Sequence, residues 1–373
     1  MRFAIDHADI TPAFTFVARI APSRAVRPVL SSVLLEARGQ HLTLTTTDLE
    51  TAAVTTVPAK VLEEGRAALP VRYVGELLRR IPAGQLEWSS DDDGASAAVT
   101  WKRSRFSIHG FDANSFPSVP EFPSPPTHTL AQGILRRTIL HSVFAAGTGD
   151  MSRPLLSGVE VRMSDDGIFA LATDGFQAAS FSSNVEALRP QADGVVVPAT
   201  ALSEVARLLG DGEEPCAIAT RGNQILFRAG NSYLASRVLE GRFFSVLDLV
   251  PKQFTTSVQV EREAFVGACS RVAFVSEQEP PHTVLLKAGD GEVRLEASNP
   301  QVGSAQESVE AQLDGETIEL GFNGHQLLEG LRHFEGPRVL LELSGVKSLA
   351  RITDPADRRL QLLQMPLDLA GND

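Results

Sequence analysis

Cysteine is nearly missing from this chain. Its two residues, Cys216 and Cys269, cannot build a disulfide framework or a four-ligand metal set, so a reducing cytoplasm is the natural reading. Long apolar runs are missing too. Residues 1–30 are broken by Asp6, Asp9, Arg19, Pro22 and Arg24, and no stretch is long enough to span a membrane, so neither a leader nor a membrane partner is expected. Positive charge is in deficit: 34 basic against 46 acidic residues give −12, which argues against a protein that coats nucleic acid indiscriminately. Patterns for chemistry are equally scarce. The eight histidines show no paired metal spacing. Gly147-Thr-Gly-Asp150 lacks the lysine of a phosphate loop, and Asp91-Asp-Asp93 reads as a solvated hairpin tip. With no nucleophile–base pair at a workable spacing, no catalytic residue, no metal and no cofactor is expected.

What is present is a repeat. Phe169-Ala-Leu-Ala-Thr-Asp-Gly-Phe-Gln177 reads as a strand ending in a tight turn, where Asp174 bonds the backbone ahead of it and Gly175 tolerates positive φ. Leu42-Thr-Leu-Thr-Thr-Thr-Asp48-Leu-Glu50 and Val293-Arg-Leu-Glu-Ala-Ser-Asn299-Pro300 say something similar, at a period of about 125 residues, the size of a whole domain. Each third opens on a helical stripe (Ile10, Phe14, Val17; Leu135, Ile139, Val143; Phe265, Cys269, Val272) and continues into alternating strands. Each then carries a second stripe, stopped by Pro82-Ala-Gly84, Gly210-Asp-Gly212 or Gly336-Pro337. The spacing predicts helices over 6–20, 70–81, 131–146, 198–210, 261–275 and 323–335. The proline-rich run 117–126 and Pro251-Lys-Gln-Phe254 read as linkers. The expected fold is α+β: three tandem pseudo-repeated domains, 1–125, 126–252 and 253–373, each with two helices on antiparallel sheet. Repeats related by rotation must close a ring or run on as a filament.

The six helical stretches hold ten arginines against eight acids, while the remaining residues carry the negative excess. If the helices share one face, that face would attract phosphate; solvated helix surface is the competing reading. A lone His141 or His325 reads as helix surface. Phe243-Phe244 reads equally as core or as a binding hot spot.

In order and spacing, Thr47-Asp48-Leu49-Glu50, Arg103-Ser-Arg-Phe-Ser107, Ala172-Thr-Asp-Gly175, Leu239-Glu-Gly-Arg-Phe243, Glu319-Leu-Gly-Phe-Asn323 and Met365-Pro-Leu367 resemble the bacterial β sliding clamp. That family is the processivity subunit of DNA polymerase III, and the likeness runs over the whole chain. The resemblance implies a homodimeric ring with helices inside and sheet outside, encircling double-stranded DNA without catalysing a reaction. It implies three kinds of protein partner: the polymerase III catalytic subunit, a clamp loader complex and other proteins bearing a clamp-binding motif. For DNA it points to Arg24, with Arg72, Arg79, Arg136, Arg137 and Arg153 as phosphate neighbours. For a partner-peptide pocket it points to Leu156, Thr173, Gly175, Phe176, Phe244, Leu249, Asn323, Val346, Ser348, Leu363, Met365, Pro366 and Leu367. For the dimer it points to Arg103, Arg105, Phe106 and Ile108 meeting Phe274 and Val275 of a second copy. The chain departs from the family pattern at Phe176, Phe244, Asp248 and Asp368, in the run Glu277-Gln-Glu-Pro-Pro-His282, at Gly149 and Asp150, and in the tail Ala370-Gly-Asn-Asp373. Those departures keep open a second reading, a divergent paralogue serving as a specialised scaffold. An enzyme on this scaffold is the third.

Overall fold

In the computed structural model, the described residues are 1–91, 94–148, 152–164, 167–184, 194–277 and 280–368. Asp92, Asp93, Gly149, Asp150, Gln278, Glu279 and the tail after Asp368 lie outside them. All six expected helices form: α1 (His7–Ala18), α2 (Val71–Arg80), α3 (Gln132–Leu140), α4 (Ala199–Leu208), α5 (Arg262–Ser276) and α6 (Gly324–Leu331). The starts of α1, α5 and α6 are set by side chains that take up the first free amides, whereas α2 starts after Pro70 with no side-chain cap. Asp6 accepts from Ala8 N, Glu261 from Glu263 N and Ala264 N, and Asn323 from Gln326 N. Two ends fall short of expectation. α3 stops at Leu140 rather than 146, because the Ser142 hydroxyl donates back to the Thr138 and Ile139 carbonyls and the chain tightens into a 3-10 turn, Val143–Ala145. α6 stops at Leu331, where His333 N and Phe334 N switch to carbonyls three residues back.

Every strand pairing among the described residues is antiparallel, and the chain gathers into two compact units. The first comprises Met1–Arg136 with Ser203–Val238. Its eight-stranded sheet joins Ser232–Arg237 to Thr51–Pro58, so strands from the central third extend the sheet of the first. A five-stranded sheet ends at the edge strand Ser104–His109, and Phe3 stacks on Trp88 in its core at 6.0 Å. The second unit comprises Arg137–Leu202 with Leu239–Asp373. In its twelve-stranded sheet, Gln177–Ser182 pairs with Leu360–Gln364, placing Gln177 opposite Gln364. Thus the sheet pairings divide the central third between the two units. The second core is packed around Phe265, Val272, Leu286, Leu295, Phe322 and Leu331.

Candidate partner-binding surface

The middle turn is built from its own side chains. The Thr173 hydroxyl donates to Gln177 O at 2.6 Å and accepts from Gly175 N at 3.0 Å; Asp174 Oδ1 accepts from Phe176 N and Gln177 N, both at 2.8 Å. Gly175 stands at φ +97°, where an L side chain would be strained. The turn of the first third repeats this atom for atom. Thr47 bonds Thr51 O and Leu49 N, and Asp48 Oδ1 takes Glu50 N and Thr51 N. In the last third Asn299 Oδ1 takes the amides of Gln301 and Val302. The repeated Asp or Asn is therefore a turn builder, as its spacing predicts.

Beside the middle turn lies a small apolar core of Phe169, Leu171, Ala178, Phe243, Leu349 and Leu363. Its flanking residues are left in solvent: Phe176 is 68 % exposed, Leu249 58 % and Phe244 55 %, with Val346 and Met365 also exposed. Large apolar side chains around a buried floor are the usual mark of a binding patch. Of the residues expected at the pocket, Thr173, Leu363 and Pro366 are buried, Leu156, Asn323, Ser348 and Leu367 are half-buried, and Gly175 is exposed. All thirteen belong to the second unit. Phe243 and Phe244 divide the two readings between them, the first in the core and the second outside.

Arg153 is placed differently from its expected company. Its guanidinium lies 3.8 Å from where a Cβ on Gly175 would stand, and Leu156 lies 3.9 Å from the same point. It is exposed, has no ion pair among the described residues and so offers a positive rim to the patch. Asp248 and Asp368 are exposed as well.

The helix arginines are largely neutralised in place. Among the described residues nine of the ten form an ion pair; Arg72, over the Tyr73 ring at 6.0 Å, does not. Arg79 meets Glu76, Arg136 meets Asp211, and Arg137 meets Glu335 at 2.8 Å. Arg24, on the loop after α1, is exposed with no carboxylate partner among the described residues. The excess positive charge read from the helices is thus mostly cancelled locally: Arg79, Arg80, Arg207, Arg262 and Arg332 meet acids within four residues, whereas Arg19, Arg136, Arg137 and Arg271 meet acids distant in sequence.

At the edge strand, Arg103 and Arg105 are exposed and Phe106 is 37 % exposed, whereas Ile108 is buried in its own unit. On α5, Phe274 is 64 % exposed and Val275 is buried. Of the four apolar residues expected at a dimer contact, Phe106 and Phe274 are the accessible pair. His141 corrects another expectation. It is 7 % exposed, stacks on Phe181 at 4.9 Å and faces His333 at 5.8 Å, beside a cavity of about 360 Å³ lined by Arg137 and Arg359. Burial, then His333 and the two arginines, lower its pKa to about 4. His325 is exposed.

Residues 1–120, 129–244 and 247–368 match, in turn, the family models for the N-terminal, central and C-terminal domains of the DNA polymerase III β subunit. A β sliding clamp of Pseudomonas putida is 31 % identical over 99 % of this chain and its own full length. The chain belongs to the bacterial β sliding clamp family. A clamp of Synechococcus elongatus is 28 % identical over 99 % of this chain and all of its own. The solved DNA polymerase III β subunit of Pseudomonas aeruginosa superposes with a TM-score of 0.91 at 28 % identity, covering 99 % of this chain and 100 % of that one. The Bacillus subtilis clamp, at 22 % identity and a TM-score of 0.92 over 99 % of both chains, shares the fold. Helices on antiparallel sheet in three clamp domains is therefore the architecture. The relatives carry the sliding-clamp name, and nothing among them favours a divergent scaffold.

Proposed function

We propose that this chain is the processivity clamp of a bacterial DNA polymerase III, working as a homodimeric ring around duplex DNA. Each copy contributes three domains, 1–125, 126–252 and 253–373. The ring performs no reaction. It turns the polymerase's escape from DNA into a local event at high effective concentration. Tethering is assigned to the patch around Thr173–Gln177, which receives short peptides from the polymerase catalytic subunit, the clamp loader complex and other clamp-binding-motif proteins. The observation that carries the reading is this patch: exposed Phe176, Phe244, Leu249 and Met365 around a buried floor, at positions the family resemblance assigns to its pocket. A P. aeruginosa clamp has been solved bound to griselimycin, and the same compound is expected to bind here.

The decisive experiment loads the protein onto nicked circular plasmid with a bacterial clamp loader and ATP. Retention on the circle and release on linearisation are expected; no retention would overturn the encircling reading.

Phosphate contact is assigned chiefly to the free cations Arg24 and Arg72, with Arg79, Arg136 and Arg137 held back by their own acids. Arg153 is assigned to the partner patch. Replacing Arg24 and Arg72 together by Ala should flatten the log–log salt dependence of DNA binding by about 2, since each released phosphate contact is worth a slope of about 1. Arg136→Ala should leave the slope near the wild-type value. An equal change from both would show that the ion pairs open freely.

A further inference from the structure

We propose that Gln326, in the first turn of α6, is a positioning residue that pins the Thr173–Gln177 turn and thereby pre-forms the partner surface. This rests on the reading of that surface as the tethering site.

The argument starts from the two sister turns. Both close with the same threonine and aspartate bonds, so neither needs help from elsewhere to form. They differ at one atom. Asp174 Oδ2 accepts from Gln326 Nε2 at 2.7 Å, across 152 residues of sequence, whereas Asp48 Oδ2 has no side-chain donor among the described residues. The extra bond is therefore not part of turn construction. What it adds is an attachment to a second element.

That element is itself held. Asn323 Oδ1 accepts from Gln326 N at 3.1 Å, and Asn323 O accepts from Gln364 Nε2 at 3.0 Å. Gln364 lies opposite Gln177 in the sheet, and Met365 N donates to Phe176 O at 2.8 Å. The turn, the start of α6 and the strand Leu360–Gln364 thus form one closed circuit. Within it, the Asp174–Gln326 link alone joins two side chains, so it can be cut without breaking a backbone ladder. Gly175 at φ +97° and the exposed Phe176 are the groups it steadies. A partner meeting an already ordered turn avoids the cost of ordering it on binding. A charge-assisted bond at 2.7 Å is of the stronger kind.

The test uses Gln326→Leu and Gln326→Glu in the full chain, read by hydrogen exchange and by calorimetric titration with griselimycin. In Gln326→Leu the amides of Phe176 and Gln177 should exchange about tenfold faster, and griselimycin should bind about tenfold more weakly. The amides of Glu50 and Thr51 in the sister turn, and Tm, should stay put. Gln326→Glu, which sets a carboxylate against Asp174, should lose more. Unchanged exchange and unchanged affinity in Gln326→Leu would overturn the proposal, as would equal acceleration in both turns. If the wild-type protein does not bind griselimycin, the reading of the surface fails instead, and the exchange comparison still decides the pin.

Discussion

Phe274→Asp should turn a dimer into a monomer, raising the dimer dissociation constant by about 100-fold or more. Phe274 is the most exposed aromatic of α5, and Phe106 is its expected counterpart on an edge strand whose outer side is unpaired within the unit. Open edges are surfaces for strand pairing, and an aromatic at the centre of such a contact commonly carries a few kcal/mol of it. A carboxylate there would have to be desolvated against Phe106. The same change at Ile108 or Val275 would be uninformative, because both are buried within their own units and their loss would unfold them. Sedimentation at several concentrations reads the result. A wild-type monomer, or a Phe274→Asp protein that dimerises as before, would remove this contact from the ring. Retention on circular DNA should disappear together with the dimer.

Acid should loosen the second unit well before its carboxylates titrate. His141 is buried as the neutral ring, with a pKa near 4 against 6.5 for the free side chain. Above pH 6.5 both folded and unfolded chains hold it neutral, and its full contribution is present. As pH falls from 6.5 towards 4, the unfolded chain takes up the proton first and stability drains away. About 2.5 pH units of linkage correspond to about 3 kcal/mol. His333 is shifted the same way by burial, against a partly compensating Glu329. The surrounding charges are Arg137 with Glu335 and Arg359 with Asp357, so a new cation meets two guanidinium groups as well as acids. Urea denaturation at pH 7.5 and 5.0 should show a marked fall for the wild type. His141→Phe, which keeps the stacking on Phe181 but cannot be protonated, should show a clearly smaller one. Parallel pH profiles would mean that His141 is not the titrating group.

The contrast between local and distant signals explains what could be read from the sequence. The helices and the sister turns follow from spacing and from side chains acting within a few residues, so their positions were legible. Phe243 and Phe244 were not separable, since only the packing of Leu349 and Leu363 against one of them decides which is core. Burial of His141 depends on Phe181 and His333, and the pairing of Arg137 depends on an acid 198 residues away. Gln326 gives no local sign of its role, because its partner lies on a different third of the chain. Family likeness assigns the pocket residues and groups Arg153 with the phosphate neighbours; that Arg153 approaches Gly175 is visible only in the folded chain.

The two thiols have a practical bearing. Cys216 and Cys269 are both buried, and burial raises their pKa values, that of Cys216 to about 12. Neither presents a thiolate at neutral pH. A single cysteine introduced on the surface would therefore react alone with maleimide dyes or bismaleimide linkers. Tethering experiments could then begin from the native sequence, with no prior removal of background sulfhydryls.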